Sequence, residues 1–247
     1  MIFVYAGPGS SIRCVRHTVL SIQSLTRSQV RTICPNRIIE GSWEKEADLF
    51  IIPGGADLPY VEALKGAGNQ KIRAYVEEGG SFLGICAGSY YAGAYVEFAK
   101  GTSIEVLGQR ELSFFSGTVE GPFLAPYEYE TQSGARAAKI FWKDSEEFEK
   151  EKEFSLFYLG GGRFIEASNK ENVTVLAAYE EGSSAIIECK VGKGNAILSG
   201  VHFEYNPNFL YGENPYLKHL IPELRKKDVL RIDLLKHLLK RSGLKCI

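Results

Sequence analysis

The chain has 247 residues, and its 29 Lys and Arg against 30 Asp and Glu give a formal net charge of −1. This balance argues against bulk nucleic-acid binding, which needs a basic excess, and a hydrophobic fraction of 45% excludes a disordered chain. Glycine is abundant, at 26 residues, but no tripeptide period organises it, so a collagen-like fibre is also excluded.

The N-terminal half alternates strand and helix signals. Apolar runs at 2–6, 49–52 and 81–85 predict strands. Helical spacing predicts one helix from Ser10 or Ser11 to about Leu25 and another over 69–78, and a further helix is expected directly after the third strand. Apolar strands joined by helices are typical of a parallel sheet covered on both faces. We therefore predict an α/β fold of three layers with a mostly parallel central sheet.

The second half is richer in strand signals. Short β-like runs at 112–115, 127–129 and 138–141 predict an inserted antiparallel β portion over about 104–141. Further strands are predicted at 154–158, 173–178, 185–190 and 195–201, with a hairpin turn at 192–195. The mixed-charge stretch 144–153 is expected to be a solvated loop or helix face, and a leucine stripe predicts a C-terminal helix at about 228–241. Without internal repeats or a linker, residues 1–247 are expected to form a single domain.

The cysteines and the apolar segments indicate the cellular compartment in which the chain is expected to fold. The five cysteines are widely spaced and form no C-x-x-C pair, which excludes zinc-ribbon and thioredoxin motifs and favours free thiols in a reducing, cytoplasmic setting. No secretory signal precedes the first strand. The uncharged stretch 82–96 has fifteen residues, too few to cross a bilayer, so it is expected to be a buried strand running into a buried helix. We expect no membrane, nucleic-acid, metal or cofactor binding.

The pentapeptide 84–88 is the most informative motif. Its form is glycine, any residue, nucleophile, any residue, glycine, with Cys86 in the middle, between a predicted strand and helix. A sharp turn there crowds its neighbours, so glycine is needed two residues before and after. The turn would place the sulfur at a helix N-terminus, which favours a thiolate, and would make the Ala87 N–H a candidate oxyanion donor. The alternative is a buried structural cysteine.

His202 is the candidate base for that nucleophile. It follows the strand predicted at 195–201, and Glu204 stands two residues on, which places both side chains on the same side of an extended chain. Glu204 could then orient the ring while the other nitrogen faces Cys86, the arrangement of a catalytic triad. The alternative is a loop histidine with a satisfied hydrogen bond. Among the other histidines, His17 and His237 lie on predicted helices, whereas His219 lies in a loop and remains possible.

The loop 53–57, Pro-Gly-Gly-Ala-Asp, is the third candidate element. It follows a sheet strand, so it should lie at the carboxyl edge, where α/β folds bind ligands. The N–H groups of Gly54 or Gly55 could approach a substrate closely, as an oxyanion hole requires. The alternative is a tight turn without a role in binding.

The three elements, in this order, resemble the class I glutamine amidotransferase-like superfamily. The closer resemblance is to the N-terminal domain of eukaryotic biotin–protein ligases and its stand-alone bacterial relatives, over roughly residues 2–210. The segments that carry it are 7–9, 53–60, 84–91, 110–112, 133–136, 160–162 and 189–204. The resemblance implies a flavodoxin-like fold in which Cys86 attacks, the pair His202 and Glu204 activates it, and the earlier glycine loop supplies an oxyanion donor.

The sequence departs from that pattern in two ways. Glutamine-using relatives carry Gln where this chain has Tyr90, preceded by Ser89, which puts glutamine as the substrate in question. Biotin ligation in the long proteins belongs to a different, C-terminal domain, and this chain lacks the Gly-Arg-Gly-type loop for biotinyl-adenylate and a P-loop for ATP. We therefore do not expect biotin transfer from this chain alone.

Two function classes remain open. The first is a cysteine hydrolase or amidotransferase acting on a small amide or related carbonyl, with Asp57, Tyr60, Ser89 and Tyr90 contacting the substrate. For the tyrosines, aromatic core packing is the alternative. The second is a non-catalytic module that binds a metabolite or a protein partner in the same cleft. A redox or glyoxalase-like protein would need an early carboxylate beside the thiol, for which Glu40 and Glu62 are distant candidates.

Overall fold

A computed structural model describes residues 1–124, 126–129, 131–143 and 152–247, so the charged stretch 144–153 lies outside the described residues except at its last two positions. The strands are β1 (Ile2–Tyr5), β2 (Val30–Ile33), β3 (Leu49–Ile52), β4 (Ser81–Ile85), β5 (Gly93–Phe98), β6 (Val106–Gln109), β7 (Phe115–Gly121), β8 (Arg136–Trp142), β9 (Glu153–Tyr158), β10 (Arg163–Phe164), β11 (Val173–Tyr179), β12 (Ser184–Val191) and β13 (Gly194–Ser199). The helices are α1 (Ile12–Gln23), α2 (Pro35–Glu40), α3 (Asp57–Leu64), α4 (Ala67–Glu77), α5 (Ala87–Tyr91), α6 (Ile221–Lys226) and α7 (Asp228–Arg241).

Five parallel strands form the part of the sheet that positions the candidate site, in the order β2-β1-β3-β4-β13. In this register Ile52 lies opposite Gly84, and Ser199 lies opposite Ile85. The carboxyl ends of β3, β4 and β13 therefore meet at one edge. The segments that follow these three strands begin at Pro53, Cys86 and 200, so the three candidate motifs emerge side by side.

The remaining strands extend the same sheet mainly in antiparallel fashion. Strands β12, β10 and β7 continue it, β5 runs parallel to β7, and β6 pairs with β5 at the edge. Strands β11, β8 and β9 branch from β12. This arrangement brings the described loop residues 127, 129, 131 and 132, together with 159 and 160, to the carboxyl edge of the parallel strands.

The core has two halves, one on each face of the parallel strands. Along β1 the side chains of Phe3 and Tyr5 join a cluster with α2, α3 and α4, whereas those of Ile2 and Val4 join a cluster with α1 and α7. This alternation is the period of two expected for a strand buried on both faces. The predicted α/β fold with a parallel sheet covered on both faces is confirmed.

Most predicted elements are confirmed, with three corrections. The helix after Cys86 ends at Tyr91, and the chain turns at once into β5, because residues 93–98 pair with β6 and β7 rather than continuing a buried helix. The run 112–115 is not a strand until Phe115, where β7 begins. The run 127–129 forms no strand, because its tyrosines pack on neighbouring rings instead.

The last strands and helices agree with the sequence pattern. Val191 pairs with Gly194, which leaves a two-residue hairpin turn at 192–193, and Gly192 has a φ of 57°, a region that glycine enters easily. The helix α7 buries the leucine stripe predicted for 228–241. Within the described ranges, every helix is too short or too polar to span a lipid bilayer.

Candidate active site

Cys86 sits on a strained turn between β4 and α5. Its φ is 52° and its ψ is −107°, a region that non-glycine residues occupy at a cost of about 1–3 kcal/mol. Its N–H donates to the Ser199 carbonyl at 2.8 Å, and its own carbonyl accepts from the N–H groups of Ser89 and Tyr90 at 2.9 and 3.2 Å. These bonds hold the strained conformation and aim the thiol away from the sheet.

The two glycines that flank the cysteine are required by close packing. A Cβ on Gly88 would lie 2.0 Å from the carbonyl oxygen of Ile52, and one on Gly84 would lie 2.6 Å from the carbonyl oxygen of Gly88. Both neighbours are backbone atoms that cannot move aside. The spacing of glycines around Cys86 therefore has the steric cause inferred from the sequence.

The His202 ring lies between Cys86 and Glu204. Its Nδ1 is 2.7 Å from Glu204 Oε1, and the ring lies close enough to the Cys86 sulfur for the two to interact, while the thiol donates to the Leu159 carbonyl at 3.5 Å. Both the histidine and the glutamate are buried, at 3% and 0% exposure. Burial alone would lower the pKa of His202, but the Glu204 carboxylate and the Cys86 sulfur raise it well above its ordinary value. The three side chains thus lie in series, with a buried hydrogen bond between His202 and Glu204 and the Cys86 sulfur beside the ring.

Backbone contacts fix the segment that carries the histidine. The His202 N–H donates to the Phe157 carbonyl at 2.8 Å, and the Ser199 hydroxyl donates to the Val201 carbonyl at 2.7 Å. The Ser21 hydroxyl of α1 donates to the Glu204 carbonyl at 2.6 Å. The histidine and the glutamate therefore keep their places relative to the sheet and to α1.

The glycine loop after β3 lies directly beside these side chains. Gly55 and Ala87 both line the cavity, and their N–H groups have no acceptor in the part of the chain that the structure describes. Gly54 lies just behind, where a Cβ would come within 2.8 Å of the His202 ring and 2.9 Å of Cys14 Sγ. Gly55 and Ala87 thus have N–H groups without acceptors among the described residues that line the cavity of the thiol, and Gly54 allows the close approach of the ring.

A cavity of about 480 Å³ opens above the thiol. Of the residues expected to contact a substrate, Asp57 and Tyr90 line it. Asp57 Oδ2 accepts two hydrogen bonds, at 2.8 and 2.7 Å, from the buried guanidinium of Arg110. The Tyr90 hydroxyl donates to the Gly160 carbonyl at 3.1 Å, so its ring forms a fixed wall. The Tyr90 ring therefore forms part of the cavity wall, and its hydroxyl is already used by the Gly160 carbonyl.

Tyr60 and Ser89 do not line the cavity, contrary to their expected role. The Tyr60 hydroxyl donates to the carbonyls of Pro53 and Gly54 at 3.0 and 3.2 Å, and the Ser89 hydroxyl donates to the Cys86 carbonyl at 2.7 Å. Both side chains are fully buried. They therefore support the glycine loop and the cysteine turn from behind, because their polar groups are already used by the backbone.

Several lining residues were missed by sequence reasoning. Cys14 on α1 packs beside the site, with Sγ 3.3 Å from the Tyr205 hydroxyl, and burial raises the pKa of its thiol. The position of α1, right after β1 at the same carboxyl edge, was the available signal for it. The other missed lining residues are Gly9, Ser10, Ser11, Arg13, Ala56, Phe98, Tyr127, Tyr129, Thr131, Gln132, Phe157, Leu159, Gly160 and Tyr205.

The alternative bases and carboxylates lie elsewhere. His17 stacks on Tyr205 with ring centroids 4.0 Å apart, and burial lowers its pKa to about 4. His237 is buried against Trp142, and His219 is exposed outside the cavity. Positions 40 and 62 are also exposed and do not line the cavity. Of the four histidines, His202 is therefore the one that meets the thiol.

Comparison with known proteins gives consistent matches. A family model described as "Biotin-protein ligase, N terminal" matches residues 1–247. A biotin–protein ligase of Schizosaccharomyces pombe is 33% identical over 99% of this chain, and the match spans 38% of that ligase. An uncharacterised protein of Chlamydia muridarum is 35% identical over 92% of this chain, and the match spans 89% of that protein. A glutamine amidotransferase structure from Thermotoga maritima superposes with a TM-score of 0.59 at 15% identity, covering 98% and 97% of the two chains. That likeness shows a flavodoxin-like amidotransferase fold, and no more than the fold.

Proposed function

The chain belongs to the family of biotin–protein ligase N-terminal domains, and from this premise we propose that it is a cysteine-nucleophile hydrolase or amidotransferase acting on a small amide or related carbonyl. The observation that carries the proposal is the buried, hydrogen-bonded pair of His202 and Glu204 beside the Cys86 sulfur, at the floor of an open cavity. A solely structural cysteine would not need a strained turn, a buried imidazole and a carboxylate together.

The first half of the reaction forms a thioester. His202 takes the proton of the Cys86 thiol, and the sulfur attacks the carbonyl carbon of the substrate. The N–H groups of Gly55 and Ala87 hold the oxygen that becomes negatively charged. When the tetrahedral intermediate collapses, the bond to nitrogen breaks and His202 returns its proton to the departing amine or ammonia.

The second half releases the acyl group. A water molecule gives a proton to His202, attacks the thioester carbon, and expels the Cys86 sulfur, which regains the proton. The products are a carboxylic acid and free enzyme. Glu204 stabilises the imidazolium in both halves through its 2.7 Å contact with Nδ1. In an amidotransferase, the released ammonia would pass to an acceptor on another domain or a protein partner.

We propose no biotin ligation for these residues. The chain matches 38% of the Schizosaccharomyces pombe ligase, and the sequence holds neither the Gly-Arg-Gly-type loop nor a P-loop. A metabolite-binding or regulatory module is the second candidate. The observation that favours it is Tyr90, whose hydroxyl is tied to Gly160 at the position where glutamine-using relatives hold substrate.

An activated ester separates the two candidates. With p-nitrophenyl acetate, the enzyme proposal predicts a burst of p-nitrophenolate equal to the protein concentration and an acetyl group on Cys86, seen by intact mass and peptide mapping. Cys86→Ser should abolish both, whereas Cys34→Ser, which removes an exposed thiol, should change neither. Thermal stabilisation by metabolites without any adduct on Cys86 would instead support the binding module.

A further inference from the structure

A second cysteine faces the same cavity as the nucleophile. Of the five cysteines, all of which the structure describes, Cys14 and Cys86 line this cavity. We propose that these two thiols form a reversible disulfide, in which Cys14 resolves the sulfenic acid that a hydroperoxide produces on Cys86. The disulfide switches the site off and shields Cys86 from irreversible oxidation. It goes beyond the proposed reaction, because it needs no turnover of a substrate.

Backbone contacts hold the first turn of α1 against the glycine loop that follows β3. The Ser11 N–H donates to the Gly54 carbonyl at 3.0 Å, and the Ala56 N–H donates to the Gly9 carbonyl at 2.9 Å. Cys14 is the third residue of α1, so these bonds determine where its side chain meets the loop. The juxtaposition of the two cysteines is therefore fixed by the backbone.

Gly54 lets the two cysteines approach each other because it has no side chain. A Cβ at this position would lie 2.9 Å from Cys14 Sγ and 3.5 Å from Cys86 Cβ, so these two atoms are no further apart than the sum of the two distances. The three nearest atoms to that point, leaving out the glycine and its chain neighbours, belong to Cys14, Cys86 and His202. Rotation about the Cα–Cβ bonds can therefore bring the two sulfurs together without displacing another side chain.

The surroundings of Cys14 suit a thiol that reacts second. Its Sγ lies 3.3 Å from the Tyr205 hydroxyl, and burial raises the pKa of the thiol, an effect that the nearby His202 only partly opposes. Because the thiolate is the form that reacts with peroxides, a protonated Cys14 leaves the first step to Cys86. Cys14 reacts only once a sulfenic acid has formed beside it.

The two steps balance with the hydroperoxide as the oxidant. The Cys86 thiolate attacks one oxygen of the hydroperoxide, the O–O bond breaks, and the departing oxygen takes the proton that His202 received from the thiol. Cys14 then attacks the Cys86 sulfur, the S–O bond breaks, and the Cys14 proton leaves with the hydroxide as water. The electrons of the new disulfide bond reduce the hydroperoxide to water or an alcohol, and a dithiol reductant reverses the change.

Peptide mapping without reduction tests the disulfide in the native chain. The protein is treated with hydrogen peroxide, free thiols are blocked with iodoacetamide, and the digest is analysed by mass spectrometry. We expect the Cys14 peptide to be linked to the Cys86 peptide. The linked fraction should rise as iodoacetamide labelling of Cys86 is lost, and dithiothreitol should restore that labelling.

The variant C14S removes the resolving thiol and keeps Cys86. Its Cys86 should accumulate as a sulfenic acid that dimedone traps, and longer exposure should convert it to the sulfinic acid, which dithiothreitol does not reduce. The matched control is C34S, which removes an exposed thiol outside the cavity and should form the link between Cys14 and Cys86 as the wild type does.

Four results would overturn the inference. They are loss of Cys86 labelling without a link to Cys14, a link from Cys86 to another cysteine, unchanged Cys86 labelling at peroxide concentrations that oxidise Cys34, and equal recovery by dithiothreitol in C14S and wild type. The wild-type mapping alone decides the first three, so the test is valid even if C14S does not fold. Failure of the proposed function appears separately, as the absence of a burst from p-nitrophenyl acetate in the reduced protein.

Discussion

Replacing Glu204 by Gln tests the electrostatic part of the proposed mechanism. The glutamine keeps the size of the side chain, and its carbonyl oxygen can still accept from His202 Nδ1, but the negative charge is lost. The wild-type contact is 2.7 Å long and buried, and a hydrogen bond to a charged group contributes about 1.5–3 kcal/mol. At about 1.4 kcal/mol per factor of ten, we expect iodoacetamide labelling of Cys86 at neutral pH to slow by about 10- to 100-fold.

The pH dependence of the Cys86 labelling rate tests how Glu204 changes the pKa of His202. In the wild type the carboxylate holds the His202 pKa well above its ordinary value, which favours transfer of the thiol proton to the ring and so the reactive thiolate. In E204Q only the Cys86 sulfur still opposes the effect of burial on the ring, so the His202 pKa falls and labelling should rise mainly toward alkaline pH, as for an ordinary thiol. E62Q removes the same charge at an exposed position and should behave as the wild type. Rates within about threefold, with the same pH profile in E204Q and wild type, would refute the reasoning.

Three further predictions concern the scaffold. Gly88→Ala would bring a Cβ within 2.0 Å of the last carbonyl oxygen of β3, so we expect the free energy of unfolding to fall by about 3 kcal/mol. In the control Gly212→Ala the new Cβ meets no neighbour, so the free energy of unfolding should stay within about 0.5 kcal/mol of the wild-type value. Tyr90→Phe removes the 3.1 Å hydrogen bond to the buried Gly160 carbonyl, so the free energy of unfolding measured in urea should fall by about 1–2 kcal/mol. An unchanged urea midpoint would contradict that hydrogen bond. The pKa of His202 is higher in the folded than in the unfolded protein, so its positive charge stabilises the fold fully at pH values below the unfolded pKa of about 6.5. The free energy of unfolding of the wild type should therefore exceed that of His202→Asn at low pH, and this difference should shrink as pH rises through the folded pKa. A difference that does not change with pH would contradict the ion pair between His202 and Glu204.

The sequence revealed those parts of the site that depend on local geometry. The glycines at 84 and 88 and the two-residue spacing of His202 and Glu204 are consequences of a turn and of an extended strand, which neighbouring residues determine. The parallel sheet followed from apolar runs between helices. Such features need no knowledge of distant contacts, and the structure brings Cys86, His202 and Glu204 together as the motif spacing indicated.

The walls of the cavity could not be predicted in this way. Gln132 lies in a polar loop without periodicity, and Arg13 lies on the exposed side of a helix, so neither position is distinguished until the loop folds over the sheet edge. The pair of tyrosines at 127 and 129 has a strand-like alternation, yet their rings pack edge to face at 5.3 Å instead of forming a strand. For Tyr60 the sequence predicts a substrate contact with core packing as the alternative, and the structure places its buried hydroxyl behind the glycine loop, on the Pro53 carbonyl.

Competitive labelling of two cysteines is the most direct test of an activated nucleophile. Cys34 is exposed, whereas Cys86 is 7% exposed, so access alone favours Cys34. At about pH 6 an ordinary thiol with a pKa near 8.5 is less than about 1% ionised. We therefore expect limiting iodoacetamide to label Cys86 at least about tenfold faster than Cys34 in the native protein. Equal rates, or faster labelling of Cys34, would contradict it.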